Sequence, residues 1–191
     1  MHIEFEDIEI EKIEKKIKTQ FSIKANTKGD THINEVKQKR KLCPPDFKVG
    51  DVFSVGDKKY VIIDVKTKLL VFVIAKDWRK EGYSNSKEAM EDYKKKGDDD
   101  FLSYRYAYEF MLLDANPQIT ESQVIQEIRN KYEEKTEARK LDEKERKKDE
   151  SWLKTRPEYC IKIIQGLDVD DLRQEIRWEQ WEKHHSRRKF R

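Results

Sequence analysis

The chain has 191 residues, of which 42% are charged and 36% apolar, with 42 Lys and Arg against 39 Asp and Glu and a net charge of +3. That length allows one domain, or a compact domain with an appendage, around a core of modest size. Cys43 and Cys160 stand in no metal-ligand spacing and no apolar run nears the ~20 residues of a membrane span, so a disulfide framework, a zinc site and a transmembrane helix are excluded.

The N-terminus "MHIEFEDIEIEK" lacks the apolar stretch of a signal peptide, which predicts a soluble, cytoplasmic protein. No motif calls for a metal or another cofactor. Charge is segregated along the chain. Residues 1–11 carry five acids and no Lys or Arg, whereas residues 12–48 carry eleven bases against four acids. A second basic focus closes the chain in "HHSRRKFR". Local patches of this kind, more than the net charge, attract a polyanion.

Taken in order, His2 to Phe5 alternate like a short strand, and Ile10, Ile13 and Ile17 recur at helical spacing in a helix ending near Lys18. "TQFSIKA" alternates as a strand, and residues 25–46 form a long polar connection marked by Gly29 and Pro44-Pro45. "DVFSVG", "KKYVIIDV" and "KLLVFVIA" read as three strands with turn signals at Gly50-Asp51 and Gly56-Asp57. Ser86 is the expected N-cap of a helix whose apolar side is Ala89, Met90 and Tyr93. "YRYAYEFMLL" is the last strand. Tyr104, Tyr106, Tyr108 and Phe110 share one of its faces, either as barrel core, the preferred reading, or as a platform for stacked bases. Asn116-Pro117 ends the unit.

Beyond it the chain reads as helical. Thr120 and Gln123 form a capping box ahead of Val124, Ile125, Ile128 and Tyr132, and the run "EEKTEARKLDEKERKKDES" predicts a solvated helix or spacer. Pro157 and Gly166 bracket a short apolar helix through Cys160, Ile161 and Ile163. In the final helix Val169, Leu172 and Ile176 fall on one side, while Trp178 and Trp181 fall roughly opposite. Such a helix needs cover on both sides, one from its own domain and the other either from the long charged helix of the same chain or from a partner or nucleic acid.

The strands "DFKVGDVFSVGDKKYVIIDV", the segment "AKDWRKEGYSNSKEAMEDYKK" and the strand "YRYAYEFML" together resemble the ASCH domain family of the PUA-like superfamily, over about residues 3–113. Nothing in 117–191 resembles a known family. The resemblance implies a small mixed PUA-like barrel over 1–115 with flanking helices, and the helical patterning beyond it adds an all-helical, charged extension over 116–191, an α+β fold in all. The family's Gly-x-Lys-Thr-x-Glu-x-Arg type motif falls on "KIKTQFSIK". Lys18 and Thr19 match its Lys-Thr step and Lys16 takes its Gly position. Its Glu falls at Phe21 or Ser22, and Lys24 stands for its Arg with a one-residue insertion. Glu81, ahead of Gly82 and Tyr83, is the cleft carboxylate that the resemblance implies.

Three functions follow. The first is an RNA-binding module for single-stranded or modified RNA, alone or within a ribonucleoprotein. Its implied contacts are Lys18, Lys24, Arg79 and Tyr83 at the cleft, Lys37, Lys39, Arg40 and Lys41 in the basic connection, and Arg187, Arg188, Lys189 and Arg191 in the tail. The second is an ASCH-type nucleoside amidohydrolase or ribonuclease, with Lys18, Glu81 and a hydroxyl at Ser22 or Thr19 as its catalytic set. The third is a protein–protein adaptor docking through Trp178 and Trp181. The motif's departures favour binding over catalysis.

Overall fold

The computed structural model describes residues 5, 7–28, 41, 42, 44–113 and 120–186. Helix α1 (Asp7–Glu14) leads to strand β1 (Gln20–Lys24), a ribbon of β2 (Thr27–Lys28) and β3 (Lys41–Leu42), and strands β4 (Val52–Val55) and β5 (Lys58–Leu69). Helices α2 (Leu70–Lys76) and α3 (Ser86–Lys95) precede strand β6 (Tyr104–Leu112). Four helices follow: α4 (Glu121–Glu134), α5 (Thr136–Lys154), α6 (Cys160–Ile164) and α7 (Val169–Ser186). The chain is thus a mixed α/β protein, and its four-stranded antiparallel sheet, in the order β1-β6-β5-β4, curves as a half-barrel. Among the described residues no helix is long and apolar enough to cross a membrane.

Inside the half-barrel sits a core of aromatic side chains. Phe21, Phe53, Tyr60, Tyr106, Tyr108 and Phe110 are buried there with Ile13, Val55 and Ile62. Phe21 stacks on Tyr108 at 5.0 Å between centroids, and Phe53 on Tyr60 at 5.7 Å. The aromatic face of β6 is therefore packed core, since pairs of this kind add to the area they bury. It offers no platform for a base. Tyr104, at the end of that face, touches both this core and a second one.

Strand β5 explains why its sequence does not alternate cleanly. Ile62 pairs with Phe110 and Asp64 with Glu109, which leaves Ile63 as an extra residue. The bulge changes the phase of the strand, so Tyr60 and Ile62 face the core before it and Val65 after it. Asp64, Lys66 and Lys68 are thereby turned to the outer face of the sheet.

The stretch "KLLVFVIA", expected as a strand, divides instead. Strand β5 ends at Leu69 and helix α2 begins at Leu70. Leu70, Val71, Phe72, Val73 and Ile74 are all buried, and a helix covered on every side shows no periodicity that separates it from a buried strand. Its first amides find acceptors in the turn before β6, Leu70 N donating to Ser103 O at 2.9 Å and Val71 N to Phe101 O at 3.0 Å.

Helix α1 also ends earlier than expected. Its last residue is Glu14, after which Lys16 adopts a left-handed conformation with φ 58° and the amides of Ile17 and Lys18 both donate to Lys12 O. The turn carries Ile17 out to solvent. The expected cap of α3 shifts by one residue: Asn85 Oδ1 accepts from Glu88 N, while Ser86 Oγ donates to Ile164 O at 2.8 Å and ties α3 to α6. The capping box at Thr120 and Gln123 is present as the sequence predicts.

The second core is built from both halves of the chain. Leu69 to Phe72, Ile74, Ala89 and Tyr93 pack with Leu153, Cys160, Ile163, Ile164, Val169 and Leu172. The boundary expected between residues 115 and 116 thus separates the two sides of one packed cluster. Helix α5 carries the charged run, exposed along most of its length and buried at Glu150 and Leu153. Helix α7 buries Val169 and Leu172, whereas Trp178 and Trp181 are 60% and 51% exposed and stack on each other at 5.2 Å.

Candidate functional site

Strand β1 has two faces of unlike chemistry. Phe21 and Ile23 turn into the aromatic core, and Gln20, Ser22 and Lys24 turn to the outer face of the sheet. Lys18 reaches the same outer side from the segment ahead of the strand. The connection between α2 and α3 lies over this face and brings Asp77 and Glu81. One carbonyl ties the two segments together: Lys80 O accepts from Thr19 N at 2.8 Å and from Gln20 N at 3.0 Å. Gly82 makes the approach possible. Its φ is 83°, and a Cβ there would lie 3.2 Å from the Lys18 Cβ and 3.1 Å from the Lys12 Cδ.

A chain of buried polar groups results. Gln20, fully buried, donates from Nε2 to Glu81 Oε1 at 3.1 Å and lies 3.4 Å from Asp77 Oδ2. Asp77 also pairs with Lys68 Nζ. Lys18, 4% exposed, donates from Nζ to Glu9 Oε1 of α1 at 2.7 Å. Ser22 Oγ and the Tyr93 hydroxyl of α3 are hydrogen-bonded at 2.7 Å. The Tyr83 hydroxyl donates to Asp92 Oδ2 at 2.6 Å, and Lys12 Nζ stands 5.0 Å from the Tyr83 ring centroid.

The electrostatics centre on Glu81. Burial raises its carboxyl pKa to about 7, against the pull of Lys18 and of hydrogen bonding by Gln20 and Ser22, while the Asp77 charge adds to the rise. Two nearby cations are engaged by other carboxylates, Lys68 by Asp77 and Lys18 by Glu9. Burial also lifts the Tyr83 and Tyr93 hydroxyls above the usual phenol range. Glu81, Lys18 and Tyr83 line a pocket of about 250 Å³ between α1 and α3, with Glu9, Lys12 and Asp92 on its other walls.

Of the residues singled out from sequence, Lys18, Ser22 and Glu81 meet on one face, Gln20 lying between the first two. Tyr83 joins them in the pocket. Thr19 is exposed and stands apart from this group. Lys24 continues the outer face but pairs with Asp98 at 3.6 Å, and Arg79 lies over the Trp78 ring at 4.8 Å. Lys41 opens β3, its side chain outside the described residues. Lys37, Lys39, Arg40, Arg187, Arg188, Lys189 and Arg191 also lie outside them, as does the strand expected at 2–5 apart from Phe5. The stacked Trp178 and Trp181 are far along α7 in sequence from the elements that build the pocket.

Sequence reasoning missed Asp77, Tyr93 and Glu9 as members of the site. Asp77 precedes Glu81 by one helical turn, a spacing that places two carboxylates on one side, and that signal was readable. Tyr93 reads as the apolar side of α3. Its hydroxyl reaches Ser22 only through the packing of α3 on the sheet.

Comparison with protein-family models, with curated proteins and with solved structures returned no match.

Proposed function

We propose that this protein is an RNA-binding module of the ASCH, PUA-like type, whose pocket receives one unstacked base while the basic segments hold the phosphates. The observation that carries the reading is the convergence of Lys18 and Glu81, from segments distant in sequence, in a pocket of about 250 Å³ beside the Tyr83 ring. That volume lies just below the ~300–1,000 Å³ of drug-sized ligand sites and suits a single base. Single-stranded RNA is recognised in this way, through unstacked bases set against aromatic side chains and hydrogen-bonded at their edges. A detail of the backbone supports the family reading. Lys16, which takes the family's Gly position, adopts φ 58°, a conformation glycine adopts freely.

Binding of single-stranded RNA with at least micromolar affinity at low salt is the expected result. Charge reversal at Lys39, Arg40 and Lys41 should weaken it and lower the salt slope by about one unit for each phosphate no longer neutralised. Unchanged affinity and slope in that variant would show that the segment does not touch the RNA, and absence of RNA binding by the wild type would end the proposal.

A second reading, hydrolysis of a modified nucleoside, draws on the nearness of the Ser22 hydroxyl to Glu81, to which it contributes hydrogen bonding. Against it stand the engagement of Ser22 Oγ with Tyr93 and of Lys18 Nζ with Glu9. A serine nucleophile needs a base within ~3 Å and a free cation for developing oxyanion charge. We expect no release of acetate from acetylcytidine. Turnover that vanishes in both Lys18→Ala and Glu81→Ala would make the protein an enzyme.

A further inference from the structure

Helix α5 carries seven Lys and Arg against six Asp and Glu, yet the folded helix sorts them by side. Asp142, Glu145 and Asp149 turn toward the groove between α5, β5 and α2. Glu150 is buried and accepts from Arg146 at 2.8 Å. Lys144, Lys148, Ser151 and Thr155 recur at spacings of four and three and form a separate stripe, exposed throughout. Lys147 beside them is bonded to Glu143 at 2.7 Å, but neither Lys144 nor Lys148 has an ion pair among the described residues.

Trp152 stands half-buried at the end of this stripe. With the lysines and the two hydroxyl residues it lines a shallow trough of about 560 Å³. The Arg156 guanidinium lies 5.3 Å from the indole ring centroid and donates to Thr155 Oγ1 at 3.2 Å. It too meets no carboxylate among the described residues. Cations left unneutralised along an open trough attract a chain of negative charges. Phosphate oxygens accept from Lys, Arg and Ser alike, and an aromatic ring receives the face of a base whatever its sequence. A chain of carboxylates would use the cations alone.

Resting on the RNA-binding reading above, we propose that this trough is a second contact for single-stranded RNA. Lys144, Lys148 and Arg156 hold phosphates there, and Trp152 takes the face of a base. The trough shares no residue with the pocket between α1 and α3 and belongs to the extension, beyond the half-barrel. The charged run is then part of the binding surface and not a spacer.

The experiment is titration of the full chain with labelled poly(U) over a series of salt concentrations. It compares the wild type, Lys144→Gln with Lys148→Gln, and Lys131→Gln with Lys135→Gln. The last pair removes the same charge from the exposed end of α4, and glutamine preserves helix propensity in both variants. The trough variant should bind more weakly at low salt, with its salt slope lowered by about 1.4, ~0.7 for each lost phosphate. The α4 variant should keep the wild-type slope. In the wild type, poly(U) should protect Lys144 and Lys148 from acetylation, read by mass spectrometry, and leave Lys131 as reactive as before.

Poly(U) binding with no change of slope in the trough variant and no protection of its lysines would overturn the proposal and leave the RNA reading standing. An equal fall in the two variants would reduce the effect to diffuse charge and overturn it as well. Phosphatidylserine vesicles or polyglutamate, bound by the wild type and lost in the trough variant while poly(U) binding persists, would give the surface to a different anion. Absence of poly(U) binding by the wild type would sink both readings together. The wild-type protection pattern decides the matter even where a variant fails to fold.

Discussion

A fragment ending at residue 115 should melt without a cooperative transition. Leu70, Val71, Phe72 and Ile74 are buried in the full chain against Leu153, Cys160, Ile163, Ile164, Val169 and Leu172. Removal of the partners leaves a wholly apolar helix and the end of β5 facing water. Each large apolar side chain returned to solvent costs about 1.5–3 kcal/mol, and a domain has only some 5–15 kcal/mol in total. A graded form of the same test is Leu153→Ala, which should cost about 2–5 kcal/mol because the side chain is fully buried between the two halves. Calorimetry of both variants is the measurement. A sharp melt of the fragment at the full-length temperature would show that the half-barrel stands alone.

The second large effect is on the pH dependence of stability. The Glu81 carboxyl has an ordinary value of 4.5 and rises to about 7 in the folded protein, so between those values the folded state binds the extra proton. Stability from this group is therefore complete below pH 4.5 and is lost as pH climbs through 7. At 1.36 kcal/mol per pKa unit the loss amounts to roughly 3 kcal/mol. Denaturant midpoints at pH 5 and pH 8 measure it, with Glu81→Gln as the control in which the difference should shrink by that amount. A wild type with the same pH profile as the glutamine variant would mean that Glu81 stays ionised throughout.

Much of the half-barrel was legible in the sequence, because β1, β4 and β6 alternate clearly and their turns carry Gly50 and Gly56 at positive φ. Strand β5 was legible only up to its bulge, and α2 not at all. The two failures have different origins: the extra residue Ile63 changes the phase of β5, whereas the chain from Leu69 to Ile74 is buried on every side, and periodicity reports only a difference between two sides. The site was partly legible. Lys18, Ser22 and Glu81 were found through a family motif and a two-residue alternation. Asp77, Tyr93 and Glu9 join them through the packing of α1 to α3 onto the sheet, which no local pattern encodes. The division at residue 115 rested on where strands end, and the shared core depends on where apolar faces meet.

The single described cysteine, Cys160, lies inside that shared core, 3% exposed, and burial raises its thiol to about 11. Alkylating reagents attack the thiolate, so the native thiol is protected twice, by enclosure and by its proton. Chemical modification at this position then proceeds only in molecules whose α2–α6–α7 layer has parted. Cys160 is in effect a clock for that event. It counts openings of that layer that a bulk melting curve averages away.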